Sequence, residues 1–474
     1  MERAAKTSNK ITMPSTWSGE MRALLALGIP MAATQFVHFF IHTIDVLMIG
    51  KLGPEDLAAA TLGTVVYFAL WMLGLGPVVA ISPLVSQALG ADISDRKDAR
   101  RSVRMALWAV FAIAPFVILL LLFTAPVMRA LGQDPVLSEK AARYVLMLAF
   151  GWPFALGVIG LRNFLAAIGK TRVPFVIAVL TTALNAALNY LFIYGKFGFP
   201  RWELVGAGLA STLSYILCFL MFMVYIVRQE EARKFRLFER FWKADWDRFR
   251  EVIKLGWPIS LTSFFEGMLF NACALVVGVI GVLQLAAYQI ALNVASLAFM
   301  IPMGLSMAGA IRMGLATGAQ NYQAQKRAAS TTLIASVCAM AFIALIVLIF
   351  GPEITHLYLK AEDTDTREVT RLVILFLPLV AAFMVFDAYQ VGANQLLRGL
   401  KDVRWPMVLT AISYWVIGFP FALFTALKTP LGVNGVWYGM LIGLISAALF
   451  LGSRLYYLLR SAPAEDIRQA GGAD

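Results

Sequence analysis

Apolar stretches of about 20 residues or more alternate along the whole chain with short polar segments rich in Lys and Arg. They fall near 23–50, 57–89, 105–127, 143–161, 174–195, 204–227, 252–280, 283–311, 330–351, 372–396, 406–427 and 431–453. As helix, each is long enough to cross ~30 Å of hydrocarbon. Strands of a membrane barrel would run about 10 residues with alternating polarity, which is not the pattern here. The prediction is an all-α membrane protein with twelve transmembrane helices. Pro and Gly interrupt several spans, as neighbouring helices in a bundle can tolerate.

Composition closes off the soluble reading. Of 474 residues, 60% are hydrophobic and 14% charged, with a mean hydropathy of +0.75. A soluble fold of this length could not hide so much apolar surface. The net charge of +12 invites a nucleic-acid partner until its distribution is examined. The segments 1–22, 90–104, 162–172, 228–254, 312–327, 398–404 and 454–468 hold 30 of the 40 Lys and Arg. That alternation is the positive-inside pattern, so the basic balance encodes orientation, with both termini cytoplasmic. Residues 1–22 are polar and mixed, and the span after them is too long for a signal peptide, so no cleavage is expected. Cys218, Cys273 and Cys338 are unclustered and lie within apolar spans, against a disulfide framework or zinc site.

The two halves repeat. Leu27-Gly28-Ile29-Pro30 matches Leu255-Gly256-Trp257-Pro258 at an offset of 228. The same offset pairs Gly50 with Gly278, Leu57-Ala58-Ala59 with Leu285-Ala286-Ala287, and Gly76 with Gly304. Six spans per half is an even number, so both halves enter the membrane in one orientation, a construction of alternating-access transporters. The expected organisation is a cytoplasmic tail (1–22), an N-lobe (23–227), a cytoplasmic linker (228–251), a C-lobe (252–453) and a second tail (454–474). The lobes would be related by a pseudo-twofold axis along the membrane normal. The linker mixes charge with aromatics, as a segment lying along the interface would.

Three acidic residues lie inside the spans: Asp45, Glu266 and Asp387. An acid at bilayer depth costs roughly 2.5–3.5 kcal/mol on the insertion scale, so each is expected to face a cavity, a partner or an ion path. At the repeat offset His38 occupies the position of Glu266, which leaves the second half with two acids. Carboxylates with amide oxygens suit a hard cation. Desolvated carboxylates suit a proton. Sequence does not separate the two. Asn185 and Asn189 share one helical face. They would line a first-half cavity with Asp45 or hydrogen-bond neighbouring helices, and Gln289 and Asn293 would line one in the second half. Gly169-Lys170-Thr171 lacks the upstream glycine of a phosphate loop, since Phe164 stands there, and His38 and His42 lack a zincin glutamate between them. No Gly-x-Ser-x-Gly elbow occurs. Gly435, Gly439 and Gly443 form a small-residue ridge suited to helix packing.

Several motifs taken together resemble the multidrug and toxic compound extrusion (MATE) family, in its NorM-like bacterial branch. They are Ile44-Asp45-Val46-Leu47-Met48-Ile49-Gly50, Asn189-Tyr190-Leu191-Phe192-Ile193-Tyr194-Gly195, Phe264-Phe265-Glu266, Gln289-Ile290-Ala291-Leu292-Asn293 and Phe386-Asp387-Ala388-Tyr389-Gln390. The resemblance covers all twelve spans. It implies a monomeric antiporter, not an enzyme, with no cofactor beyond its coupling ion. It would export drugs and organic cations across the lipid bilayer in exchange for inward Na⁺ or H⁺. Glu266 and Asp387 would form the cation site, with Na⁺ as the metal if sodium is the coupling ion. Asp45, Asn185 and Asn189 would serve the N-lobe. Phe383, one turn before Asp387, offers that site no oxygen. The alternative is a lipid-linked precursor flippase of the same superfamily, which would need a strongly basic cavity. A channel or a membrane enzyme is a further class, separable by steady current or by product formation.

Overall fold

The computed structural model describes residues 13–92, 96–358 and 364–460, with side chains at 356–366 excepted. Among the described residues it is helical throughout, with twelve helices long and apolar enough to cross a membrane. They are α1 (Trp17–Gly50), α2 (Pro54–Ala91), α3 (Lys97–Leu122), α4 (Pro135–Ala167), α5 (Arg172–Tyr194), α6 (Glu203–Arg228), α7 (Trp246–Ile280), α8 (Val282–Gly318), α9 (Tyr322–Ile349), α10 (Arg367–Gly399), α11 (Arg404–Lys428) and α12 (Val433–Arg460). Helices six apart in order differ in length by two residues at most, so the repeat read from glycines and prolines persists in three dimensions. Packing repeats too. α4 packs against α2, α3 and α6, and its counterpart α10 packs against α8, α9 and α12.

The helices overrun the apolar windows at both ends. α1 takes in residues 17–22 of the expected tail, α7 begins inside the expected linker, and α12 continues to Arg460. Charged residues lower a hydropathy window, yet Glu, Lys and Arg are good helix formers, so the helix runs on beyond the apolar slab. α4 likewise runs past Arg162 to a stop before Gly169, whose φ of +81 suits glycine at a helix C-terminus. Arg162 is therefore a helical residue, not the loop cation that the 143–161 window implies.

The chain forms two compact units. Among the described residues, one comprises those up to Leu25, Gly90–Asp92 and those from Leu269; the other comprises those of Ala26–Leu89 and Ile93–Met268. The boundary thus falls within α7, not in the 228–251 segment where the repeats meet. Within the Ala26–Met268 unit the first part of α7 packs on α2, where two glycines let the backbones touch. A Cβ on Gly76 would collide with the Gly256 carbonyl, and one on Gly256 with the backbone of Pro77. Pro77 has no N–H for the carbonyl of Leu73 one turn back. The Ser260 hydroxyl donates to that carbonyl at 2.8 Å and accepts from the Gly76 N–H at 2.9 Å. In the other unit, the start of α1 and the end of α2 pack on α8. Glu20, fully buried in the first turn of α1, receives both Nε and Nη2 of Arg312 at 2.7 and 2.6 Å.

The linker is strapped to the Ala26–Met268 unit. Arg101 of α3 grips Asp245 with Nε and Nη2, and the Trp108 indole donates to the Phe241 carbonyl at 2.8 Å. Phe235 packs edge-on against Phe164 of α4. Between α6 and α7 the linker forms one short helix, Glu230–Arg233. In the other unit Trp437, fully buried on α12, gathers Tyr288, Phe376 and Phe383 about its ring. The predicted glycine ridge packs α12 on α11: Gly439 meets Ala422, and Gly443 meets Gly418 within a π-helical turn, Ile412–Gly418.

Candidate functional site

Three of the residues singled out in the sequence come together in the Ala26–Met268 unit. α5 presents Asn185 and Asn189 one turn apart, both buried, toward Asp45 of α1. The Asn189 amide donates to Asp45 Oδ1 at 2.5 Å and to Asn185 Oδ1 at 3.2 Å, using both of its hydrogens. Ser211 of α6 donates to Asp45 Oδ2 at 3.4 Å. The Tyr194 hydroxyl reaches the Met48 carbonyl at 2.9 Å and ties the end of α5 to α1. The helix stops there because Gly195 takes a left-handed conformation, φ +64, that leads into Gly195-Lys196-Phe197-Gly198. Neutral donors from α5 and α6 thus point at one carboxyl group. Asn189 Oδ1 is buried and unbonded. It is an acceptor available to a proton carrier or cation that reaches Asp45.

Glu266 lies in the same unit, half-buried on α7, beside the edge-on rings of Phe264 and Phe265. Asp387 belongs to the other unit and is buried on α10, the helix at that unit's centre. Gln390 and Asn394 continue its face at i+3 and i+7, both buried. Among the described residues the Gln390 amide has no hydrogen-bond partner at either end, and neither has Asn394 Oδ1. Buried amides are normally paired, so three orphaned atoms beside a carboxylate set this face apart from the packed core. Phe383, one turn earlier, stacks edge-on against Phe270 and Trp437 and is core, so the position supplies no ligand oxygen. Gln289 and Asn293 are exposed, four apart on α8, and point away from the packed interior. Among the described residues no three His, Cys, Asp or Glu side chains gather as metal ligands. A sodium ion would therefore also need amide, hydroxyl or carbonyl oxygens, as hard cations accept.

Ser211, Gln390 and Arg162 were not among the sequence candidates. A serine inside a helix ordinarily bonds back to its own turn, as Ser214 does to Ala210, so nothing marked Ser211 as different. Gln390 stood in view, within the motif around Asp387. Arg162 was hidden by a span boundary placed six residues before the end of α4.

The profile of the MatE family matches residues 30–191 and 258–424, one match in each half. A protein of Rhizobium meliloti named "Probable multidrug resistance protein NorM" is 39% identical over 450 residues, covering 95% of this chain and 96% of that one. The multidrug resistance protein MdtK of Yersinia enterocolitica is 33% identical, covering 95% and 98%. Among solved structures, a MATE transporter in complex with MaL6 superposes with a TM-score of 0.84 at 22% identity over 93% of this chain and 98% of that one. The eukaryotic MATE transporter AtDTX14 gives 0.82 at 20% identity over 94% and 98%. At such identities these structures speak for the fold.

Proposed function

Because the chain belongs to the MatE family, we propose that it is a multidrug antiporter of the bacterial inner membrane, exporting amphipathic and cationic drugs and dyes in exchange for inward Na⁺ or H⁺. The observation that carries this reading is the set of three carboxylates kept within the spans of a twelve-helix repeat, one of them caged by neutral donors. The relatives' names supply the substrate class. Glu266 and Asp387 bind the coupling ion, Gln390 stands beside the second of them, and Asp45 with Asn185, Asn189 and Ser211 serves the first half. In the cycle, the ion binds while the site faces outward and favours release of drug. The two lobes, 23–227 and 252–453, then turn the site inward, the ion leaves and drug reloads. An inward charge crossing the membrane supplies ~2.3 kcal/mol per 100 mV. Both termini lie in the cytoplasm, and the protein acts as a monomer.

The test is ethidium efflux from proteoliposomes under an imposed Na⁺ gradient at fixed pH, then under a pH gradient without Na⁺. Efflux following the first identifies a sodium site, and efflux following only the second a proton site. Full gradient-driven efflux in Glu266→Gln would refute the assignment of that residue. No efflux under either gradient would turn attention to the lipid-linked flippase.

A further inference from the structure

The unit that contains the residues from Leu269 holds an open groove. α10 forms its floor, and α9 and α12, which both pack on α10, flank it. It encloses about 490 Å³, a size typical of small-molecule sites, and is lined by Val337 of α9, Phe386 and Tyr389 of α10, and Ala448, Leu449 and Tyr456 of α12. Phe386, Leu449 and Tyr456 are exposed, so the groove faces away from the packed core. Along α12 it runs from Ile445 to Tyr456, eleven residues or ~16 Å of helix, about half of the ~30 Å of hydrocarbon. The groove is one leaflet long.

The first half of the repeat fills the same valley. Between α3, α4 and α6 the rings of Phe111, Phe154 and Phe219 interlock edge-on, with centroids 5.7 to 6.1 Å apart. Gly206 and Gly435 mark matching places on α6 and α12, because at each a Cβ would strike the backbone of the preceding span, at Phe192 and at Thr425. Their offset of 229 sets Phe219 against Ala448. A methyl thus stands where the first half has a ring. Tyr389 does not refill the space, since its ring lies down on Gly452, where a Cβ would meet the hydroxyl.

The groove is graded in polarity. Val337, Val385 and Ile445 line its deep end, and the hydroxyls of Ser453 and Tyr456 stand toward the end where α12 stops. Beyond them come cations. α9 starts at the end of the unit where α12 stops, four crossings later. Eleven residues make three turns and ~20°, so Arg460 shares a face with Leu449, and Lys326 shares one with Val337. Both are exposed, and among the described residues neither meets a carboxylate. Arg454, on a different face of α12, is committed to Asp402 at 2.7 Å.

We propose that this groove binds an anionic phospholipid, with one acyl chain lying over Tyr389 and the phosphate held by Lys326 and Arg460. An apolar channel one leaflet long, ending in hydroxyls and then in two cations, follows the order of parts in that molecule, and basic pockets between spans suit anionic headgroups. The inference rests on the spans and the repeat and is independent of drug export.

In the test, the full chain is purified in detergent and offered phosphatidylglycerol and phosphatidylcholine of identical chains in equal amounts. Native mass spectrometry reads the lipid retained. Wild type is expected to keep one phosphatidylglycerol, preferred about tenfold or more over phosphatidylcholine. Lys326→Gln combined with Arg460→Gln should bring that preference close to even. Ala448→Phe, which copies the first half, should lose the retained lipid while its thermal midpoint in lipid-free detergent stays near wild type. Leu449→Trp, at the exposed rim, supplies the same reading where the phenylalanine variant does not accumulate. A wild type that keeps no lipid, or keeps both lipids equally, would overturn the proposal. So would unchanged retention in the filled variants, or an unchanged preference in the glutamine pair. A dimer lost in Ala448→Phe would give the groove to a second copy of the chain instead.

Discussion

Arg312 and Arg162 are the same residue type in two packed units, and they are treated oppositely. Arg312 and Glu20 close on each other through two short hydrogen bonds, and the acid is wholly buried. Arg162 has one neutral partner and an unbonded Nε. The acids divide the same way. Glu20 is spent on structure, whereas Asp45 is surrounded by amides and a hydroxyl that leave an acceptor spare at Asn189. A charge that has found its opposite holds helices together. A charge left with neutral company has no such fixed partner among the described residues.

Removing one member of the closed pair should give the largest effect. Glu20→Ala strands the Arg312 guanidinium and should cost about 3–5 kcal/mol of stability, read as a lowered thermal midpoint in detergent. Glu20→Gln with wild-type stability would erase the distinction drawn here. Next come the open acids. Glu266→Gln and Asp387→Asn should each reduce gradient-driven efflux at least ~100-fold, about 2.7 kcal/mol at ~1.36 kcal/mol per decade, while the thermal midpoint stays near wild type. A large loss of stability in either would make it a second Glu20. Asn189→Ala removes the donor shared by Asp45 and Asn185 and should destabilise by ~1–3 kcal/mol, measured by the same melt. The smallest effect belongs to the linker. The Arg101 guanidinium that bonds Asp245 holds its carboxyl below the usual carboxylate range. A depressed folded-state value means the stabilisation is complete above about pH 4 and is lost as pH falls through the lower value. Hydrogen exchange in 229–245 should therefore rise on acidification below about pH 4 in the wild type, and be raised and less pH-dependent in Asp245→Asn.

Much of the candidate site was legible because burial of charge in hydrocarbon is so unfavourable that every acid in a span stands out. That Asn185 and Asn189 share a helical face was legible, whereas the sequence left open whether they meet Asp45 or hydrogen-bond neighbouring helices. The contribution of Ser211 was not legible, because a serine's bond to its own helix and its bond across helices leave the same letter in the sequence. Arg162 was misplaced because a hydropathy window ends where charge begins, whereas a helix ends where its capping glycine lets it.

The sequence by itself determined the twelve helices, their even division and the repeat, because span length and periodic glycines are local properties set by the thickness of hydrocarbon and the pitch of a helix. It did not determine which unit each helix end would join. The first turns of α1 and the last of α2 pack on α8, and the first part of α7 packs on α2. Those choices depend on where two backbones come close enough to touch, at Gly76 and Gly256, and on whether a carboxylate such as Glu20 lies within reach of a guanidinium. Only the tertiary structure brings residues 292 positions apart to within hydrogen-bond distance, and only it leaves Arg162 without a counter-charge among the described residues.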